Sequence, residues 1–130
     1  CVAGDYVNAG NTFGSWIENN TYFMSTHNMG SLPKVYDPKQ ENADNCLAWP
    51  LFAKESDLKG LPPHVISVNE LDPLRDEGEA YGKRLVENGV STTITRYNGA
   101  FHGFFNMITI LDDAQSAHAQ ASTLLKKYLD

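Results

Sequence analysis

The pattern of apolar and polar positions is clearest in the second half of the chain. A β-branched run in residues 64–69 predicts a strand buried on both faces. Residues 75–88 carry apolar side chains at helical spacing, and residues 92–97 are again β-branched, so a helix and a second strand are expected. The 3.6-residue period then predicts a last helix, whose apolar face would hold Ala114, Ala117, His118, Ala121, Leu124, Leu125 and Tyr128.

This order of elements predicts an α/β fold. A strand, a helix and a second strand form a right-handed crossover, which makes the two strands parallel and commonly adjacent. Residues 61–130 are therefore interpreted as a β-α-β-α unit of parallel strands with flanking helices. Residues 1–60 lack a clean period and contain several turn-forming prolines. We interpret them as the end of a central strand, at Cys1 to Ala3, followed by an irregular connection.

Composition narrows the classes of partner. The 130 residues carry a formal charge of -6 and a pI of about 5.1, which argues against nucleic acid, because phosphate binding requires concentrated Lys and Arg. No run of about 18 apolar residues predicts a membrane span. The sequence starts without a methionine, so we expect a chain that enters its fold part-way, as a fragment or processed product would. Cytoplasmic and secreted locations both stay open.

Two side chains with catalytic potential follow the predicted strands directly. Asp72 comes after the first strand and His102 after the second, and parallel neighbours bring their carboxyl ends to one edge of the sheet. An aspartate beside a histidine is the orienting half of a nucleophile–histidine–acid triad, in which the imidazole moves a proton near neutral pH. Each residue also has a commoner use: Asp72 as a turn or capping residue, His102 as a loop residue among core aromatics. Asp76 is the alternative acid.

The other parts of a catalytic site are not recognisable in the sequence motifs. Phe101, Phe104 and Phe105 surround His102 in sequence and are candidates to line an apolar acyl pocket, or to belong to the core. No glycine-rich phosphate loop occurs and the histidines lack metal-ligand spacing, so we expect no cofactor and no metal. No serine stands in G-x-S-x-G, and no H-G-G-G loop could supply oxyanion amides. The candidate nucleophiles are Ser15, Ser25, Ser31, Ser67, Ser91, Ser116 and Ser122.

The motifs around Asp72 and His102 resemble those of a known protein family. The stretch V-N-E-L-D-P-L-R-D-E-G, followed about thirty residues later by F-H-G-F-F, resembles the carboxyl-terminal part of the hormone-sensitive-lipase-like branch of the α/β hydrolases, over about residues 47–107. The resemblance implies that Asp72 is the acid and His102 the base of a serine carboxylesterase. It also implies that the serine elbow and the oxyanion loop lie in upstream sequence, as part of the same chain or as a separate one.

Two functions follow as hypotheses. The first is hydrolysis of a small apolar carboxylic ester, in which this chain supplies acid and base and is inactive alone. The alternative is a non-catalytic small-molecule binding protein, similar to the plant hormone receptors that keep this fold but lose the catalytic histidine. The presence of both Asp72 and His102 favours the enzyme.

Overall fold

The computed structural model describes residues 13–129. The predicted strand tail at Cys1 to Ala3 lies outside these residues. Short helices separated by turns make up the first half of the described chain. The interpretation of residues 1–60 as a strand end and irregular connection, divided from a unit at 61–130, stays a prediction. The elements are α1 Gly14–Glu18, α2 Thr26–Met29, α3 Leu32–Tyr36, a 3-10 turn Pro50–Phe52 and α4 Glu55–Leu58.

The second half contains the predicted crossover unit. Its elements are β1 His64–Leu71, α5 Arg75–Glu87, β2 Thr92–Phe101, a second 3-10 turn Phe104–Met107 and α6 Asp112–Leu129. Strands β1 and β2 are hydrogen-bonded in parallel, with His64 opposite Thr92. The predicted α/β fold with a parallel strand pair and flanking helices is thereby confirmed.

The first core cluster fastens the crossover helix. Leu85 of α5 is fully buried and packs with Leu58, Ala53 and Val90. Acidic residues occupy the first turn of α5 and Arg84 its last turn, which is the arrangement that the helix dipole favours. The guanidinium of Arg84 also donates to the carbonyls of the 51–53 turn. Apolar packing and these polar contacts together fix α5 against the preceding connection.

The second core cluster lies where β2 ends. Ala100 and Phe104 are buried against Ala114 and Ala117 of α6. Small side chains on α6 let the helix approach closely, so that one buried residue on each side of the His102-Gly103 pair, Ala100 before it and Phe104 after it, packs in this cluster. The turn that carries the histidine is therefore anchored by burial.

Three details differ from the sequence-based expectations. Burial of β1 on both faces was predicted, but Ser67 is exposed and most of its neighbours are half-buried, because β1 has one strand neighbour among the described residues. Strand β2 continues to Phe101 rather than ending at Tyr97, since Asn98-Gly99 forms a bulge instead of a turn. Leu125 of α6 is exposed.

No helix in residues 13–129 combines the length and hydropathy that crossing a bilayer requires.

Candidate active site

The turn after β1 holds Asp72 in a fixed orientation. Its Oδ1 accepts a hydrogen bond from the Leu74 N–H at 2.9 Å, which is an Asx turn around the buried Pro73. The carbonyl of Asp72 accepts from the Arg75 N–H at the start of α5. The Asp72 side chain is 10% exposed. One carboxylate oxygen thus performs the turn-forming role that the sequence suggested, and the second is left for another partner.

That partner is His102. Its Nδ1 lies 2.9 Å from Asp72 Oδ2, so the edge of the sheet brings together the two side chains that sequence spacing had paired. A carboxylate at Nδ1 fixes the tautomer that carries its proton on Nδ1, leaving Nε2 as the nitrogen that can exchange a proton with a substrate or nucleophile. Gly103 follows with φ of +82°, a left-handed conformation that glycine adopts without strain and that turns the chain sharply after the histidine.

Asp76, the alternative acid, faces elsewhere. Its Oδ1 accepts from Arg75 Nε at 2.7 Å and its Oδ2 from the Ser15 N–H at 2.8 Å. Burial alone would raise the pKa of Asp76, but the hydrogen bonds from Arg75 and the Ser15 backbone outweigh burial, so its pKa is lowered. Asp76 is therefore a charged anchor between α1 and α5.

A cavity of about 900 Å³ opens beside His102. His102, Leu74 and a wall of apolar residues from the first half of the chain enclose it, with the histidine side chain 36% exposed. The wall could not be predicted from the sequence, because its residues come from turns and short helices without a readable period. The lining consists of Trp16, Met24, Met29, Gly30, Leu32, Pro33, Val35, Tyr36, Leu47, Ala48, Trp49, Pro50, Leu74 and His102.

The three phenylalanines are placed elsewhere. None of them is among the described residues that line the cavity. Phe104 belongs to the core, Phe105 packs edge-on against His118 at 5.1 Å between ring centroids, and Phe101 lies 5.2 Å from Phe23. Among the described residues, the cavity is therefore lined mainly by the first half of the chain, and the phenylalanines pack away from it.

A family model described as the alpha/beta hydrolase fold matches residues 7–106, which is most of the chain. The chain belongs to the α/β-hydrolase family. Within this family it is similar to the structure of brefeldin A esterase, described as a bacterial homologue of human hormone-sensitive lipase, with 40% identity and a TM-score of 0.79 over 86% of this chain and 31% of that one. The predicted hormone-sensitive-lipase-like resemblance is confirmed.

Two curated relatives of this chain are esterases by name. An arylesterase of Saccharolobus solfataricus is 45% identical over 71 residues, covering 55% of this chain and 22% of the relative. Carboxylesterase NlhH of Mycobacterium tuberculosis is 36% identical over 95 residues, covering 72% of this chain and 30% of the relative. The chain thus spans less than a third of the length of these curated relatives.

Helix α1 holds the acid turn of this α/β hydrolase in a way that the sequence did not reveal. Ser15 is fully buried, and its Oγ donates to the Pro73 carbonyl at 2.8 Å and accepts from the Asp76 N–H at 3.1 Å. Asn19 Nδ2 donates to the carbonyls of Glu70 and Asp72 at 3.0 and 3.2 Å. Ser15 is therefore a structural anchor rather than an accessible nucleophile.

The hydrogen bonds of Asn19 also bear on an N-glycosylation acceptor sequence that begins at this residue. Asn19-Asn20-Thr21 has the acceptor pattern N-x-T. Asn19, however, is 3% exposed and uses its Nδ2 in two hydrogen bonds to main-chain carbonyls. In the folded chain this amide is not accessible for modification.

Proposed function

We propose that this chain supplies the acid and the base of a serine carboxylic-ester hydrolase. The observation that carries the proposal is the 2.9 Å hydrogen bond between Asp72 and His102, at the mouth of an apolar cavity, in a family whose compared members are named esterases. Asp72 and His102 are the proposed catalytic residues. The nucleophilic serine and the oxyanion donors are proposed to come from sequence outside these 130 residues.

The proposed chemistry is acyl transfer in two steps. His102 Nε2 accepts the proton of a serine Oγ while that oxygen forms a bond to the ester carbonyl carbon, and the imidazolium returns the proton to the departing alkoxide when the ester C–O bond breaks. In the second step Nε2 deprotonates a water that attacks the acyl-serine, and the proton then passes to the serine oxygen. Asp72 stabilises the imidazolium through its hydrogen bond to Nδ1–H.

The cavity supports a small apolar ester as substrate. Its described lining carries no Asp, Glu, Lys or Arg side chain, so a charged acyl or alcohol group would lose its hydration without gaining an ionic partner. Its volume of about 900 Å³ falls within the size of ordinary small-molecule sites, roughly 300 to 1,000 Å³. Burial of an apolar group against residues such as Met29 and Leu32 would provide the binding free energy.

The decisive experiment compares the isolated chain with a joined protein, defined as these 130 residues together with the upstream segment that the proposal requires. We expect the isolated chain to hydrolyse p-nitrophenyl butyrate no faster than background, because acid and base alone lack a nucleophile and an oxyanion site. The joined protein should hydrolyse it at least about 10³-fold above background. Full activity of the isolated chain would contradict this division of parts.

A fluorophosphonate probe separates the enzyme from the binding-protein alternative. The joined protein should be labelled on one serine, and His102→Ala should slow the labelling, since the probe reports a nucleophile activated by the histidine. A joined protein that binds apolar ligands but neither reacts with the probe nor hydrolyses esters would instead be a binding protein.

Substrate contact with the cavity wall is tested at Leu32. The side chain lines the cavity and is 54% exposed, so Leu32→Asp should leave folding largely intact while removing about 1 kcal/mol of apolar contact with a bound ester. We expect KM for p-nitrophenyl butyrate in the joined protein to rise about fivefold, with kcat changed less than twofold. Leu125→Asp is the matched control, since Leu125 is 49% exposed on α6 and does not line the cavity. Equal KM effects in both variants would exclude the wall as the binding surface.

A further inference from the structure

The end of β2 departs from regular pairing just before the histidine. Asn69 stands opposite Tyr97, and Leu71 stands opposite Phe101. Between these pairs β1 has a single residue, Glu70, whereas β2 has three, residues 98–100. The bulge adds two residues to the strand that delivers His102, so the position of the imidazole depends on how the bulge is held.

The side chains of two adjacent β1 residues, Asn69 and Glu70, hold the bulged segment in place. Glu70 Oε2 accepts a hydrogen bond of 2.6 Å from the N–H of Gly99, which sits at φ of +73° in the middle of the bulge. Asn69 Nδ2 donates to the carbonyl of Phe101 at 2.8 Å. That carbonyl belongs to the peptide bond that joins Phe101 to His102, so the amide orients the peptide plane from which the histidine projects.

Glu70 is itself anchored on the acid side of the site. Its main-chain carbonyl accepts from Asn19 Nδ2 at 3.0 Å and from Arg75 Nη1 at 3.0 Å. One residue therefore links the turn that carries Asp72 to the bulge that carries His102. Neither the acid nor the base can shift without straining this link.

We propose that Glu70 is a positioning residue of the esterase site: it holds the β2 bulge through Gly99 and thereby sets His102 against Asp72. Asn69 supports the same placement from the buried side, through its hydrogen bond to the Phe101 carbonyl. Asn69 is 7% exposed, and its Oδ1 has no hydrogen-bond partner among the described residues, so its donor group is the part of the amide that the fold uses. This inference rests on the proposed hydrolase function and assigns a role within the same site.

The test uses Glu70→Ala and Glu70→Gln in the joined protein. Alanine removes the acceptor for the Gly99 N–H, whereas glutamine keeps a side-chain oxygen of the same reach and removes only the charge. We expect Glu70→Ala to lower kcat for p-nitrophenyl butyrate about 10- to 100-fold, because a displacement near 1 Å at a reacting group costs that much. KM should change less than twofold, since Glu70 does not line the cavity. Glu70→Gln should retain at least about a third of the wild-type kcat.

A spectroscopic readout separates this inference from the proposed function. The downfield proton NMR signal of His102 Nδ1–H reports the hydrogen bond to Asp72 and requires no turnover, so it can be measured even if no ester is hydrolysed. We expect the signal to be shifted or lost in Glu70→Ala and retained in Glu70→Gln. Glu79→Ala, which breaks an ion pair of α5 with Arg96 away from the bulge, controls for the loss of an acidic side chain that contacts β2.

The outcomes are distinct. A Glu70→Ala protein with wild-type kcat and an unchanged His102 signal would overturn the inference. Loss of kcat in Glu70→Gln equal to that in Glu70→Ala would also overturn it, because the charge rather than the hydrogen bond would then matter. If Glu70→Ala fails to fold, Glu70→Gln decides alone: retained kcat and retained signal are required. A joined protein without esterase activity but with the expected NMR changes would remove the hydrolase function and leave the structural link standing.

Discussion

Replacement of His102 by alanine in the joined protein is expected to lower kcat for p-nitrophenyl butyrate by about 10⁴-fold. The imidazole is the group proposed to accept the serine proton and return it to the leaving alcohol, and no other described side chain is placed to do so. Because His102 is partly exposed at the cavity mouth, its truncation should leave the melting temperature within a few degrees of wild type. The measurement is a steady-state kcat and KM together with a thermal melt.

His64→Ala is the matched control for this prediction. His64 stands at the opposite end of β1 and interacts with Pro62 and Tyr81. We expect kcat to stay within about twofold of wild type. Retention of full activity in His102→Ala would end the interpretation of His102 as the base, whatever the activity of the control.

Replacement of Asp72 by asparagine is expected to cost about 10³- to 10⁴-fold in kcat. Asparagine can keep the turn, because its Oδ1 can still accept from the Leu74 N–H. Its Nδ2, however, is a donor, and a donor facing His102 Nδ1 favours the tautomer with the proton on Nε2, which cannot act as a base toward serine. The loss should therefore equal or fall below that of His102→Ala, with KM nearly unchanged.

Asp57→Asn controls for the turn-forming part of Asp72. Asp57 Oδ2 accepts the Lys54 N–H at the start of α4, a comparable local contact outside the site. We expect this variant to retain kcat. If Asp72→Asn keeps more than a tenth of the wild-type kcat, Asp72 is a turn residue and another acid must orient the histidine.

The sequence predicted those features of the fold and the site that depend on local patterns of residues. The two strands, the crossover helix and the pairing of Asp72 with His102 follow from β-branched runs, helical spacing and the parallel-strand rule. The bulge at Gly99 was missed, because Asn-Gly is typical of a turn, whereas the strand pairing resumes at Leu71 and Phe101 and the side chains of Asn69 and Glu70 bond to the bulged segment.

The cavity wall was missed for a different reason. Its residues belong to turns and to helices of three to five residues, too short to show a period, and their apolar side chains meet only through tertiary packing. The burial of Ser15 and Asn19 could not be predicted either, since a sequence does not show whether a serine hydroxyl or an asparagine amide is buried or exposed. For the phenylalanines, adjacency to His102 in sequence suggested a pocket, whereas the packing of Phe104 against Ala114 and Ala117 puts that ring into the core.

Most of the cavity wall and the Asp72–His102 pair lie in different halves of the chain, which affects what substitutions in each half can change. Asp72 and His102 stand on the crossover unit, whereas the described cavity lining comes from residues 16–50 apart from Leu74 and His102. Substitutions at lining positions that do not support the Asp72 turn, such as Leu32, are therefore expected to reshape the cavity without moving Asp72 and His102. The shape of the cavity and the placement of the Asp72–His102 pair are thus set largely by separate stretches of one chain.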